Sequence, residues 1–438
     1  MGQTIIPFGS IPSMLRQSVG LFTLVTQRKT ILNRLYGPMP QQKDAEDKLR
    51  INTSTDYPLM RNMDLTKFAG DRITFDYVNP SYGKPVMGDA YAQGLGDVIT
   101  FAQDGLRIDV SRLPMSAGSM MSQQRTIHQL KSLAVASAYG KLNRLEDQRT
   151  HVHLAGARGF HNNGEWIVPL ASDPAFASIM VNPVKAPSKN RHFMVNGGNI
   201  TPIAASANAI TIQTTDQMSM DVLDSIRTWI DGVPFAPGQV KFNGDELAED
   251  SPLRVLLVSS EQYTAFLKSG IFRTLQAQST ARAAAAKQNP IMLGDAGLWN
   301  GILRVKLPKP IRFYAGNPIN HCASTASQTE TTTDLVPSNF GTGFAIDRAL
   351  LLGSQALGQA LGQAKLIDTR TGEESIDGQS VFYSEVVTDF GARPEIVVGI
   401  VNGMSKIEFL MDFGTGGGQQ FTDMGVVAID TAVQLAGV

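Results

Sequence analysis

The chain has 438 residues, 42% of them apolar and 18% charged, with 38 Lys and Arg against 39 Asp and Glu for a net charge of -1. That length supports one large or two medium domains with a sizeable core, and the composition excludes disorder over most of the chain. The balanced charge excludes a broad basic face built to grip nucleic acid, and a single cysteine, Cys322, excludes an intrachain disulfide and a four-cysteine zinc site.

No stretch approaches the ~18 consecutive apolar residues of a spanning helix, because Asn402, Lys406 and Glu408 interrupt 395–411. The N-terminus lacks the charged start, apolar middle and cleavage pattern of a signal peptide. A soluble, cytosolic chain with no membrane partner is expected.

Residues 1–43 hold no Asp or Glu and carry Arg16, Arg28, Lys29, Arg34 and Lys43. Leu15, Val19, Phe22, Val25, Ile31, Leu32 and Leu35 recur at helical intervals, predicting an amphipathic helix over 13–35 that breaks at Gly37, Pro38 and Pro40. The pattern fits equally an arm lying on something else and an N-terminal helix packed on its own domain.

Ile73, Phe75 and Tyr77 alternate with Thr74 and Asp76, which predicts a half-buried strand. A second apolar run, 98–101 and then 106–110, is broken at Asp104 and Gly105. The connection 79–97, rich in Gly, Pro, Asp and Tyr, is too long for an ordinary turn, so an extended hairpin with an exposed tip is predicted. Over 122–154 there is no Pro and Gly140 alone, while Ile127, Leu130, Ala134, Ala138, Leu142 and Leu145 keep three- and four-residue steps. One helix of roughly 50 Å follows, either crossing a large domain or burying a face on a neighbour.

Short strands are expected at 166–169, 209–214, 253–259, 302–307 and 311–314, and helices at 220–230, 261–268 and 274–287, with a Ser/Thr-rich loop at 324–334. The segment 348–365 is predicted to be a helix whose Gly353, Gly358 and Gly362 permit close backbone approach. Strands at 382–388, 395–402, 409–412 and 424–429 close the chain around a flexible glycine loop, 414–418.

Catalytic motifs fail. HExxH, Walker A and G-x-S-x-G are absent, and Gly94-Leu95-Gly96 has Ile99 where a dinucleotide fingerprint needs its third glycine. The glycine loop is flanked by Asp412 and Asp423 and by no basic residue, so it is no anion cradle. His151, His153 and His161 lie close in sequence, but 151 and 153 point ~200° apart on a helix, which favours surface or hydrogen-bonded histidines over a metal site. Glu373 and Glu374 read as a solvated turn, and Cys322 beside His321 as a buried, inert thiol. No catalytic, cofactor-binding or metal residue is assigned and no enzyme is expected.

Seven motifs stand in a fixed order: GDRITFDYV at 70–78, MGD at 87–89, ITFAQDGLRID at 99–109, MSQQR at 121–125, HLAGARG at 153–159, RALLLGSQALGQALG at 348–362 and DFGTGGGQQFTDMGVVAIDTA at 412–432. In order and spacing over most of 55–435 they resemble the tailed-phage major capsid family typified by the N-four-like podophages, whereas 160–250 does not match. The resemblance implies an α+β Hong Kong 97-like fold. Its parts would be an N-terminal arm at 1–55, an extended β-hairpin at 56–115, a peripheral domain with the spine helix at 116–222, an axial domain at 223–378, and C-terminal strands at 379–438 returning to the peripheral domain.

It further implies copies forming hexamers and pentamers of an icosahedral shell around packaged double-stranded DNA, assembled in the host bacterial cytoplasm. Portal, scaffolding or decoration proteins would be partners, and contact with DNA would be non-specific. It nominates Ile73, Phe75, Tyr77, Tyr82, Lys84, Met87, Asp89, Phe101, Ile108 and Arg125 as inter-subunit contacts, and Arg16, Arg28, Lys29 and Arg34 as arm contacts. The residue pattern by itself leaves open a smaller oligomeric ring protein, or an enzyme whose site is assembled from distant residues.

Overall fold

The computed structural model describes residues 31–37, 57–63, 65, 70–89, 91–119, 122, 130–162, 164–204, 210–242, 253–268, 297–307, 309–326, 328, 332–367, 374–376, 380–388, 393–414 and 417–435. Helix α1 (Ile31–Leu35) leads through a bridge between Tyr36 and Leu59 into strand β1 (Leu59–Asn62). Strands β2 (Arg72–Val78) and β3 (Phe101–Arg107) form the expected antiparallel hairpin, with Arg72 opposite Arg107 and Val78 opposite Phe101. β4 (Asp109–Ser116) carries the chain away from it. β3 runs straight through Asp104 and Gly105, where the sequence signals a break. The Asp104 carboxylate accepts from Lys185 and from the Glu408 N–H, so a charge in mid-strand is satisfied by partners far along the chain.

The long helix α2 (Leu130–Ala155) has the predicted stripe, with Ala134, Ala138, Leu142 and Leu145 buried. It ends at Gly156, whose φ of 63° suits a residue without a Cβ. Next come α3 (Phe176–Met180), β5 (His192–Asn196), β6 (Asn199–Pro202) and α4 (Met220–Gly232), the last capped by Ser219 accepting from the Val222 N–H. Of the segments predicted as strands, 166–169 and the described residues 210–214 of 209–214 are irregular; in the first, the Ile167 and Val168 N–H groups donate to the Gln148 side chain, so no strand partner is needed there.

β7 (Arg254–Val258), α5 (Ser260–Lys268), β8 (Gly297–Trp299), β9 (Ile302–Lys306) and β10 (Arg312–Phe313) follow. β11 (Pro318–His321) pairs with β12 (Thr332–Leu335), which ends the Ser/Thr-rich loop as a strand. The predicted helix at 274–287, and 13–30 of the N-terminal one, lie outside the described residues.

The segment 348–365 is not a helix. It is the end of β13 (Phe344–Leu352), a turn with Gln355 at φ 56°, and β14 (Leu357–Leu361). β13 pairs with neighbours on both sides and is buried on both faces, so its strand alternation is erased and its Leu/Ala content mimics a helix. The glycines do allow close approach: a Cβ on Gly358 would lie 3.0 Å from the Phe75 ring, and one on Gly362 would lie 2.5 Å from Ile108. The chain ends with β15 (Lys365–Ile367), β16 (Glu374–Ile376), β17 (Val381–Thr388), β18 (Arg393–Lys406), β19 (Glu408–Asp412), β20 (Gln419–Asp423) and β21 (Val426–Gln434).

Two sheets organise these strands. An eight-stranded sheet runs β6-β5-β21-β13-β7-β9-β8, with β10 on β13. One face, with Leu351, Val427 and Ile429, packs on α4 and α5 through Val222, Ile226 and Phe266; the other, with Leu350, Leu352 and Ala428, packs on Leu154 at the end of α2. A five-stranded sheet, β1-β14-β18-β17 with β4 on β18, carries the length of α2, whose stripe meets Leu113, Val381, Ile396, Val398 and Ile400. Buried polar groups tie the layers. Arg149 and Asn402 share Glu146, and Arg348 bonds Asp430 on β21, the Ala155 carbonyl ending α2, and His192 on β5.

Candidate subunit interface

The hairpin's root is held from both sides. The Asn182 side chain accepts from the Arg107 N–H and donates to the Arg107 carbonyl, each at 2.8 Å, and also reaches the Met404 carbonyl at 3.2 Å. This crossing needs Gly403, where a Cβ would stand 1.9 Å from the Arg107 oxygen. Tyr77 stacks on Phe409 with centroids 5.3 Å apart, and Asn79 accepts from the Asp412 N–H and donates to the Leu410 carbonyl. Burial raises the Tyr77 phenol, with a smaller push from Tyr82.

Ile73 is 8% exposed and packs with Leu65, Leu106 and Ala360, with Phe75 and Ile108 at the edge of the same cluster. Within the chain, Ile73, Phe75, Tyr77 and Ile108 all pack against its own residues, Ile73 fully and the other three in part. Alternation reveals that a strand face is covered but not which chain covers it.

Beyond Asn79 that cover ends. Tyr82 donates to the Asp412 carbonyl at 2.9 Å, and the Asp97 carboxylate accepts from Ser81 and the Gly83 N–H across the base of the tip. Tyr82, Lys84, Met87, Asp89 and Phe101 are exposed. Nine of the fourteen exposed large hydrophobics among the described residues fall within 78–101, including Val98 at 81%, Met87 at 77%, Tyr91 at 75% and Phe101 at 68%. A concentration of this kind marks an association surface, since isolated exposed apolar residues would be scattered. Val86, Tyr91 and Leu95, inside the 79–97 connection, have no strand or helix pattern to mark them, whereas Val98 and Ile99 belong to the predicted apolar run 98–101. The available signal was apolar content in a connection whose Gly and Pro predict polar neighbours. Arg16, Arg28, Lys29 and Arg125 lie outside the described residues, and Arg34 is exposed on α1.

The remaining candidate chemistry is structural. His153 Nε2 lies 3.2 Å from the Met180 carbonyl and His161 Nδ1 3.1 Å from the Tyr314 hydroxyl. His151 and His153 are not on the surface; burial, with nearby cations, pushes both down to about 3. Cys322 is buried, and His321 Nε2 lies 3.6 Å from Asp334. Among the described residues no group of three or more His, Cys, Asp or Glu could hold a metal, and no helix is long and apolar enough to cross a membrane. Glu373 lies outside the described residues.

A long helix on one sheet, a hairpin rooted on that sheet's strands and an apolar tip left without own-chain cover agree with what family comparison finds: residues 5–435 match the family described as phage capsid protein. The chain belongs to that family. The capsid of Ralstonia phage GP4 is similar at 23% identity over 100% of both chains, with a TM-score of 0.63. The capsid of cyanophage Pam1 is similar at 14% identity over 100% of both, with a TM-score of 0.56. The acid-stable capsid of Helicobacter pylori bacteriophage KHP30 follows at 12% identity over 91% of this chain and 93% of that one, with a TM-score of 0.50. A search of curated proteins finds no match. The fold is the Hong Kong 97-like fold of tailed-phage capsids, and this major capsid protein acts by contact with copies of itself in the virion shell.

Proposed function

We propose that this capsid protein forms hexamers and pentamers of an icosahedral shell around double-stranded DNA, and that the hairpin tip is completed by the neighbouring copy. The observation that carries the reading is the gathering of exposed apolar side chains on 78–101. The neighbour offers a second apolar patch, Leu133, Val386 and Val387, where the Lys131–Glu385 ion pair at 2.8 Å joins the start of α2 to the end of β17. Tip on patch is a heterologous contact, which generates a ring where the rotation between copies closes. Gly88 and Gly94, at φ 66° and 85°, let the tip follow the different angles of hexamer and pentamer.

The subunit performs no reaction and takes no cofactor. The basic arm, with Arg16, Arg28, Lys29 and Arg34, contacts packaged DNA without sequence preference or lies under a neighbour. Portal, scaffolding or decoration proteins are the other partners, and assembly takes place in the host cytoplasm. Deleting 85–96 tests the reading: the subunit is expected to remain folded by circular dichroism while electron microscopy shows no shells. Normal shells from that deletion would refute the role of the tip.

A further inference from the structure

Three carboxylates and two lysines converge where the hairpin meets its own subunit. Asp104, on β3, is clasped by Lys185 with both oxygens at 2.8 Å. Asp423, on β20, holds Lys406 of β18 at 2.8 and 2.9 Å, and Lys406 also donates to the Ala186 carbonyl. Glu408, on β19 opposite Asp423, has no cation of its own among the described residues. Its N–H is spent on the Asp104 carboxylate, and its Oε2 is buried without a hydrogen-bond partner. Arg191 lies close enough to Asp423 to feel its charge but donates to the Phe235 carbonyl.

We propose that the hairpin root is a proton-dependent latch: with a proton on Glu408 the hairpin stays seated on β19, and ionising that carboxyl loosens it from its own subunit. An ionised Glu408 would sit buried between Asp104 and Asp423 while both nearby lysines are engaged elsewhere; lifting β3, which packs on β19 and carries Asp104, would readmit water to that carboxylate. Burial first, then Asp423, pushes the Glu408 carboxyl up to about 7. A carboxyl raised in the seated state and ordinary in the lifted one binds more protons when seated. The latch is therefore tightest below the ordinary carboxyl range and weakens as pH rises towards 7. The device gives the hairpin an adjustable aim, tuned by the medium rather than by the neighbour.

The test is amide hydrogen exchange on the unassembled full-length subunit, where no neighbour holds the tip. The Arg107 and Glu408 amides bond across the root, so their protection reports its seating. After correction for the intrinsic rate and for global opening read on β13, their opening is expected to rise on the order of 50-fold from pH 5 to pH 8. In Glu408→Gln it should be flat. Root opening that is independent of pH in the unmutated chain overturns the latch without relying on any variant. A Glu408→Gln chain that folds and keeps the full pH slope overturns the assignment to Glu408.

Discussion

The eight-stranded sheet and the hairpin tip are both dense in large apolar side chains, yet one is sealed by its own chain and the other is bare. Leu350, Leu351 and Leu352 on β13 are at most 1% exposed, while Val98 and Met87 on the tip exceed three-quarters. The sheet uses its apolar groups for its own folding; on the proposed reading the tip keeps them for contact with another copy. The same contrast appears in the charges. Two buried ion pairs of the sheet are matched, Arg348 with Asp430 and Arg312 with Asp347, whereas the hairpin root holds a carboxyl with no cation of its own among the described residues.

The largest effect expected to sharpen this contrast comes from acid. His151 and His153 are buried and held neutral, at about 3, well below the imidazole's ordinary range. The stability that each contributes is fully present above ~6.5 and is lost as pH falls towards 3, at up to about 1.4 kcal/mol per pH unit. Two such groups together would remove on the order of 10 kcal/mol by pH 3, comparable with a whole domain's stability of ~5–15 kcal/mol. The body thus loosens on acidification while the hairpin root loosens in the opposite direction. In urea denaturation of the unassembled subunit, the midpoint should fall steeply from pH 7 to pH 5, and His153→Gln should roughly halve the slope. A slope unchanged by that substitution would place the acid sensitivity elsewhere.

A smaller effect is expected at the junction of the two regions. Gly403→Ala places a Cβ against the Arg107 carbonyl and the backbone at Ile108, neither of which can rotate aside. Pushing the root off β18 should cost about 1–3 kcal/mol, seen as a lower urea midpoint, and should misdirect the tip so that shells are malformed. If shells form normally at reduced stability, the seating of the root does not aim the tip.

That junction also shows where sequence reasoning ran out. The hairpin was legible because Ile73, Phe75 and Tyr77 alternate over a half-exposed strand, and α2 because Ala134, Ala138, Leu142 and Leu145 keep one stripe. The misreading of 348–365 came from a strand buried on both faces, for which the period-two signal vanishes. Asp104 looked like a break because Lys185 and Glu408, the partners that satisfy it, lie 81 and 304 residues away. The candidate interface was half legible: the extended tip could be read from its length and its glycines, but Ile73 and Tyr77 could not be assigned to their own subunit until Leu106 and Phe409 were in place.

The smallest effect on stability should be the most telling for assembly. Val98→Ser with Phe101→Ser alters two side chains that their own subunit leaves exposed, so the urea midpoint should correspond to a change within about 0.5 kcal/mol. Sizing and electron microscopy should nevertheless show capsomers or shells lost, because in a shell every copy repeats the weakened contact. A large drop in midpoint would mean that the chain covers its own tip, and the contrast with β13 would collapse. Unchanged stability with unchanged shells would leave the apolar tip without a role in assembly and move the search to the patch around Leu133 and Val387. Only the combination of an intact subunit and absent shells assigns these side chains to the neighbour, since folding and association then respond to different residues of one chain.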